Sequence, residues 1–401
     1  MIKILKKTVT LVFLLLLGSP MVSSAQELDT EVRPSWWASL LTTPLFDAPA
    51  TGEILPDGWT VVGGPATFEF KTTAKGQLEV HGYGSAPRNA FLTSPDTYGD
   101  FLLEFDVLIN KDGGNSGVQI RSTIDGPRMF GYQIEIDPSD RAWSAGLYDE
   151  GRRGWLASLQ DNVDARDAFA PGDWNHYKIL AIGPRIRTWI NDVPAVDHLD
   201  FVDAQGRFGF QVHSGKCDVR WRNIRIADLG KRTEVTLLDA SQHDGFRITP
   251  ENGLSSQDGG WSVNPEGVRL ESVNPISDVP SVLTITSTVG QGLLFIEMGD
   301  VINGPGYSLK IPAPLGSADT PGVIRILRFA DRLQVLVDNV PLVPGPPDIS
   351  GDLPLSLSCS LDTDAVIHRI SIDLPSKRES MWIKKIQESW SDRTGTVSPG
   401  P

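Results

Sequence analysis

The chain has 401 residues, with 39 glycines, 29 prolines, two cysteines and a formal charge of −14. That acidity argues against nucleic acid or an anionic membrane as a partner, since both recruit basic surface. No Cys/His spacing suggests a zinc site, and no phosphate loop, dinucleotide fingerprint, His-Glu-x-x-His motif or nucleophile elbow occurs, which leaves a covalent-nucleophile hydrolase without support.

In chain order, residues 1–25 read as a secretory signal. Lys3, Lys6 and Lys7 precede an apolar run over 9–17, and Ser23-Ser24-Ala25 offers a small-residue cleavage site. The run is too short, and too soon broken by Gly18 and Pro20, to span a membrane, and no later segment approaches transmembrane length. Losing its three lysines would take the charge of −14 to about −17. The expectation is an exported protein, periplasmic or extracellular, with no transmembrane segment. Export permits a disulfide, but Cys217 and Cys359 fall in separate halves and are expected to be free. After a linker over 26–39, about 375 mature residues suffice for two sizeable domains.

Turn dipeptides recur at short intervals: Gly113-Gly114, Asp125-Gly126, Pro171-Gly172, Asn191-Asp192 and Gln205-Gly206. Between them apolar and polar residues alternate, the mark of an all-β chain of short antiparallel strands. Strands are expected over 77–81, 101–109, 176–182, 185–191 and 219–226, and sandwiches are expected rather than βα units.

Three runs stand out: Gly117-Val-Gln-Ile-Arg-Ser122, Gly131-Tyr-Gln-Ile-Glu-Ile-Asp137 and Gly209-Phe-Gln-Val-His-Ser214. Residues i and i+2 of a strand share a face. One face of each run is therefore apolar, and the other carries Gln119 and Arg121; Gln133, Glu135 and Asp137; or Gln211 and His213. If the runs are neighbours, that face gathers proton-transferring groups and amides suited to a polyhydroxylated ligand.

The second half repeats the first in order. The pattern Arg185–Val196 returns as Arg332–Val343, Gly131–Ile136 as Gly306–Ile311, and 219–226 as 365–372. Trp261-Ser-Val with Gly267-Val-Arg-Leu echoes Trp59-Thr-Val with Gly76-Gln-Leu-Glu. The reading is a first domain over 40–229 and a second, degenerate β-sandwich over 236–375. In the second copy Gln133 and Glu135 become Ser308 and Lys310, and matching Phe210 to Leu355 turns Gln211 and His213 into Ser356 and Ser358. A framework kept while a polar face is lost points to a working first domain and a supporting second one. Residues 376–401 read as a short helix, with Trp382, Ile386 and Trp390 in a stripe, and a tail.

The first half resembles the 3-keto-disaccharide hydrolase domain family. The resemblance rests on Leu45-Phe46, Asn115-Ser-Gly-Val-Gln-Ile-Arg121, Gly131-Tyr-Gln-Ile-Glu-Ile136, Gly146-Leu-Tyr-Asp149, Gly172-Asp-Trp-Asn175, Trp189-Ile-Asn191, Gln211-Val-His213 and Trp221-Arg-Asn-Ile-Arg-Ile226. It covers residues 40–229 and departs at Asp192, where the family usually has glycine. It implies a concanavalin-like jelly-roll sandwich and cleavage of 3-keto-glycosides or 3-keto-disaccharides by elimination and hydration. The ketone acidifies the hydrogen on C2; loss of that proton gives an enediolate that can expel the oxygen on C1, and water then adds.

Such chemistry needs a base, an acid and a stabiliser of the enediolate oxygen. His213 is the candidate base or metal ligand, because its ordinary pKa allows either protonation state near neutrality. Glu135 and Asp137 are candidate acids, second bases or metal oxygens, and Arg121 is the candidate stabiliser. Gln119, Gln133 and Gln211 fill out a binding face. In the segment 140–155, Tyr148 and Glu150 are preferred over Trp143 and Trp155 as a sugar-binding wall, with Arg152 and Arg153 as hydroxyl ligands. Trp174, Trp189 and Trp221 are assigned to the core. A divalent metal is left open, and an oxidised oligosaccharide or glycoside is the expected partner. The alternatives are a non-catalytic carbohydrate-binding jelly roll and a structural surface protein.

Overall fold

The computed structural model describes residues 40–50, 53–239, 246–248, 261–263, 269–272, 281–291, 293–299, 306–317, 319–329, 332–342, 355–359 and 364–374. The expected signal, linker and C-terminal helix lie outside them. The chain starts with β1 (Thr43–Pro44), β2 (Thr60–Gly63), β3 (Thr67–Thr72), β4 (Leu78–Ala86), β5 (Ala90–Thr93) and β6 (Asp100–Ile109). Next come β7 (Ser116–Asp125), β8 (Arg128–Ile136), β9 (Leu147–Glu150) and β10 (Gly154–Ala157). A short helix, α1 (Val163–Ala168), is capped by Asn162, whose side chain accepts from the amide of Ala165. Then follow β11 (Trp174–Ile182), β12 (Arg185–Ile190), β13 (Val193–Leu199), β14 (Arg207–Val212) and β15 (Gly215–Gly230).

These strands form two antiparallel sheets. One runs β13-β12-β11-β6-β15-β4-β3, with β1 also on β15; the other runs β10-β9-β8-β7-β14-β5-β2. The period-two pattern of the sequence becomes the core between them. Phe101, Leu103, Phe105, Val107 and Ile109 of β6 face Val118, Ile120, Ile134, Ile136, Phe210 and Val212, all at most 1% exposed. Phe105 stacks on Tyr177 at 5.0 Å, and Phe210 meets Trp221 edge-on at 5.5 Å. The result is an all-β jelly-roll sandwich in which the three polar runs are neighbours, β8-β7-β14. Cys217 is a buried free thiol whose pKa burial pushes up to about 11.

A second sandwich is built from β16 (Thr233–Asp239), β17 (Phe246–Ile248), β18 (Trp261–Val263), β19 (Arg269–Ser272), β20 (Ser281–Gln291) and β21 (Leu293–Gly299). It is completed by β22 (Gly306–Pro312), β23 (Gly322–Phe329), β24 (Arg332–Val337), β25 (Val340–Pro341), β26 (Leu355–Cys359) and β27 (Asp364–Leu374). Its sheets run β16-β27-β20-β23-β24-β25 and β18-β19-β26-β21-β22. The first order repeats β25-β24-β23-β20-β27 where the first sandwich has β13-β12-β11-β6-β15. The second repeats β22-β21-β26-β19-β18 where it has β8-β7-β14-β5-β2. Even the hairpin turns agree: Asn191-Asp192 have φ of 48° and 68°, and Asp338-Asn339 have 47° and 67°. Two consecutive positive φ values are what a two-residue type I′ turn requires, and Asn and Asp tolerate them.

Two details of the expected repeat are corrected by register. Phe210 opposes Val118, which opposes Ile134; Leu357 opposes Ile296, which opposes Leu309. Phe210 therefore corresponds to Leu357, two residues beyond the match drawn from sequence, and Gln211 corresponds to Ser358. Likewise β19 occupies the place of β5, not of the strand that follows Gly76.

The sandwiches meet through apolar and charged contacts. Leu199 packs with Val282, Leu327 and Leu336. Arg232, between β15 and β16, donates to Asp100 Oδ2 at 2.8 Å and Asp373 Oδ2 at 2.9 Å, with its side chain 1% exposed. Asp100 also accepts from Arg121 at 2.9 Å. Breaking a buried pair leaves a desolvated charge behind. Arg232→Ala is therefore expected to cost about 3–5 kcal/mol in the free energy of unfolding, and Arg232→Lys, which lacks the planar fork, should restore only part of it. Urea unfolding of the full chain measures both; a loss below about 1 kcal/mol would contradict the network's structural weight.

Candidate functional site

Outside the core, the polar face of β8-β7-β14 ends in a cleft of about 580 Å³. Its floor is built by Gln133, Glu135 and Asp137, and its sides by Asn115, Arg141, Tyr148, Glu150, Trp155 and His213. Gln119, Gln133 and Gln211 oppose or adjoin one another across the strands and are at most 2% exposed. Gln133 Oε1 accepts from Gln119 Nε2 at 3.2 Å and from Gln211 Nε2 at 3.0 Å. Its own Nε2 donates to Glu135 Oε2 at 3.2 Å. Gly117 makes room for this ladder: a Cβ there would sit 2.6 Å from Gln133 Cδ. In the second sandwich Phe295 opposes Lys310, as Gly117 opposes Glu135, so the equivalent place is filled by a ring.

Glu135 is the best-connected group. Its Oε1 accepts from Asn115 Nδ2 at 2.8 Å and Arg141 Nη2 at 2.9 Å. Among the described residues Oε2 takes only Gln133, which leaves one of its acceptor positions open. Burial pushes the Glu135 carboxyl above the ordinary range, against the Asn115 bond, the Arg141 charge and the Gln133 bond. Its backbone is pinned from the opposite sheet, where the Tyr177 hydroxyl donates to the Glu135 carbonyl at 3.2 Å. Nearby, Thr188 donates to the carbonyl of Ala145 at 2.7 Å.

Arg141 reaches the cleft from the loop after β8. It donates to Asp137 Oδ2 at 2.7 Å, while its guanidinium lies 5.1 Å from the Trp143 ring centre and 5.0 Å from that of Trp155. Among the described residues its Nη1 has no partner. Trp155 packs edge-on to Trp143 at 4.8 Å and to Tyr148 at 5.1 Å, giving the cleft an aromatic wall.

On the other side His213 Nδ1 lies 2.9 Å from the Ser214 carbonyl. A carbonyl only accepts, so Nδ1 carries the proton and Nε2 of the neutral ring keeps a lone pair. Glu150 accepts from Asn89 Nδ2 at 3.1 Å, and Asn89 Oδ1 accepts from the Ser214 amide at 2.8 Å. Burial raises the Glu150 carboxyl, with the Asn89 bond opposing it and, whenever its ring is protonated, the charge of His213 as well. Among the described residues no group of three or more His, Cys, Asp or Glu is placed to hold a metal ion.

Residues 42–227 match the sequence family of the 3-keto-alpha-glucoside-1,2-lyase-like domain. The match falls on the same segment whose motifs resemble the 3-keto-disaccharide hydrolase domain family. A levanase of Bacillus subtilis (strain 168) is 26% identical over 155 residues, which is 39% of this chain and 21% of the levanase. The chain thus spans about a fifth of that relative. Among solved structures, the carbohydrate-binding module CBM66 from Bacillus subtilis is 20% identical, covering 42% of this chain and 95% of the module, with a TM-score of 0.33. A putative glycosyl hydrolase from Parabacteroides distasonis ATCC 8503 is 16% identical, covering 43% of this chain and 89% of that one, with a TM-score of 0.29.

Within the matched segment, Gln133, Glu135, Asp137, Tyr148, Glu150 and His213 line one cleft, and Gln119 and Gln211 lie beneath it. Arg121 does not join them. A bulge between Ile120 and Thr123 breaks the alternation, and Arg121 takes a φ of 46°. Its fully buried side chain donates to the carbonyls of Gly99 and Gly183, both at 2.7 Å, and to Asp100. Arg152 and Arg153 also point away, held by Asp149 with Asp203 and Asp200. Trp174 is half-buried under Arg222, 3.8 Å from its ring centre, rather than in the core, whereas Trp189 and Trp221 are buried. Sequence reasoning missed Arg141 and Asn89, which sit in loops where no periodicity marks them.

Because Arg141 opposes the effect of burial, Arg141→Gln is expected to raise the Glu135 pKa further. Glu135 stabilises the fold below its unfolded pKa, and that contribution is lost as pH rises through the raised folded value. The variant extends this window upward. Carboxyl ¹³C titration of labelled protein reads it directly; an unchanged or lower midpoint would contradict the assignment.

Proposed function

We propose that the first sandwich cleaves 3-keto-glycosides by elimination followed by hydration, acting as an exported enzyme. The observation that carries this reading is the pairing of two unlike proton carriers in one cleft. His213 offers Nε2, the ring nitrogen not engaged by the Ser214 carbonyl, and Glu135 offers a buried carboxyl with a raised pKa and an open position on Oε2. Environments that divide protons in this way are how a single site supplies both an acid and a base.

In the elimination, His213 Nε2 takes the C2 proton and the C2–H electrons form the enediolate. Arg141, in the role first given to Arg121, bonds the enediolate oxygen through Nη1. The C1–O bond then breaks, and Glu135 gives its proton to the departing oxygen. In the hydration, water adds to C1 of the resulting enone, its proton returns to Glu135, and His213 returns a proton to C2. Both groups are thereby regenerated. Tyr148 and Trp155 supply ring faces for sugar C–H groups, and Glu150 with Asn89 binds hydroxyls.

The aromatic wall and amide floor would equally suit a carbohydrate-binding module without catalysis. The two readings separate on one experiment. Purified protein is incubated with a 3-keto-disaccharide and, in parallel, with its unoxidised parent, and products are followed by mass. The enzyme reading expects cleavage of the keto sugar alone, with Glu135→Gln and His213→Ala each slower by about 10²–10⁴-fold. Saturable binding of both sugars without product would favour the binding module.

A further inference from the structure

The wall of the cleft is not self-supporting. Tyr148, Glu150 and Trp155 all belong to the β9–β10 hairpin, two four-residue strands of which β10 is the sheet edge. Such a hairpin is marginal on its own. Its other face carries Asp149, which is fully buried and accepts from both Arg152 and Arg153. Those two arginines run on to the segment after β13. Arg153 Nη1 donates to Asp200 Oδ2 at 2.8 Å, and Arg152 Nη1 to Asp203 Oδ1 at 3.2 Å. The same segment holds Tyr132 of β8, whose hydroxyl donates to Asp200 and accepts from the Asp203 amide at 3.2 Å.

Alternation then does the rest. Asp200 faces the hairpin, while Leu199 and Phe201 on either side of it face the second sandwich. Leu199 and Phe201 pack into the cluster of Val282, Leu327 and Leu336, and the Arg325 guanidinium lies 4.6 Å from the Phe201 ring centre. These contacts come from the outward face of β20, β23 and β24, whose inward residues Leu283, Ile285, Ile324, Ile326 and Val335 form that sandwich's own core.

We infer that the second sandwich is a positioning element for the cleft: it clamps residues 199–203, which through Asp200, Asp203, Arg152, Arg153 and Asp149 hold the β9–β10 wall in place. The inference concerns the same site as the proposed function but needs only the wall, not the chemistry. It gives the degenerate copy a task that its lost polar face does not.

Hydrogen exchange on full-length protein tests it with two variants. Arg325→Ala/Leu327→Ala loosens the clamp from the second sandwich, and Asp200→Asn cuts the brace while leaving the apolar interface intact. In both, amides of 147–157 are expected to exchange about tenfold faster, as in a local opening of a weakly held unit. Those of 101–109 should keep wild-type rates. Unchanged exchange of 147–157 in Asp200→Asn would overturn the brace. With a 3-keto-disaccharide the same variants should raise KM about tenfold and leave kcat within about twofold, because the wall orients substrate without moving protons. A loosened wall with unaltered KM would keep the brace and count against the cleft as the saccharide site.

Discussion

A carboxyl group buried on a sheet face has to find donors, and much of the polar face is arranged around that requirement at Glu135. Four amides and a guanidinium meet it: Asn115, Gln133 and Arg141 directly, and Gln119 and Gln211 through Gln133. The arrangement needs a bare backbone at Gly117, a loop that folds Arg141 back, and hydroxyls from the opposite sheet to fix the strand. A neutral or apolar residue at 135 would make most of this unnecessary. Among the described residues, the network leaves the acid with one acceptor position on Oε2 unfilled.

The same chain shows what the fold looks like without that requirement. The second sandwich keeps the strand order, the hairpin turn and the apolar alternation, but has Lys310 for Glu135 and Phe295 for Gly117. A buried acid is therefore not something the jelly roll needs. What the second copy retains is an outward apolar face, and that face rests on the segment bracing the cleft wall. The buried acid sits in one copy of the architecture, and the other packs against that copy around Leu199.

Much of this was legible in the sequence. Strict alternation placed β6, β11, β12 and β15 and put the three polar runs on one face; Asn-Asp and Asp-Asn turns marked matching hairpins. The failures have local causes. Arg121 shares a face with Gln119 only on an unbroken strand, and the bulge after Ile120 turns it into the interior, where Asp100 is its partner. Arg152 and Arg153 look available for a ligand until Asp149, three and four residues earlier, is seen to be fully buried and to need them both. Arg141 carries no pattern at all: its place follows from a loop whose Ala142 and Ala145 adopt φ of 54° and 70°. The two-residue slip in matching Phe210 arose because period-two strands align equally well at every even offset.

The decisive step is the removal of the C2 proton, assigned to His213. Incubating a 3-keto sugar in deuterated water and reading label at C2 of recovered substrate measures that step apart from bond cleavage. Wild-type protein and Glu135→Gln should both exchange the C2 hydrogen, the latter with cleavage slowed by about 10²–10⁴-fold, whereas His213→Ala should slow the exchange itself by a similar factor. Exchange at the wild-type rate in His213→Ala, or its loss in Glu135→Gln alone, would contradict that assignment.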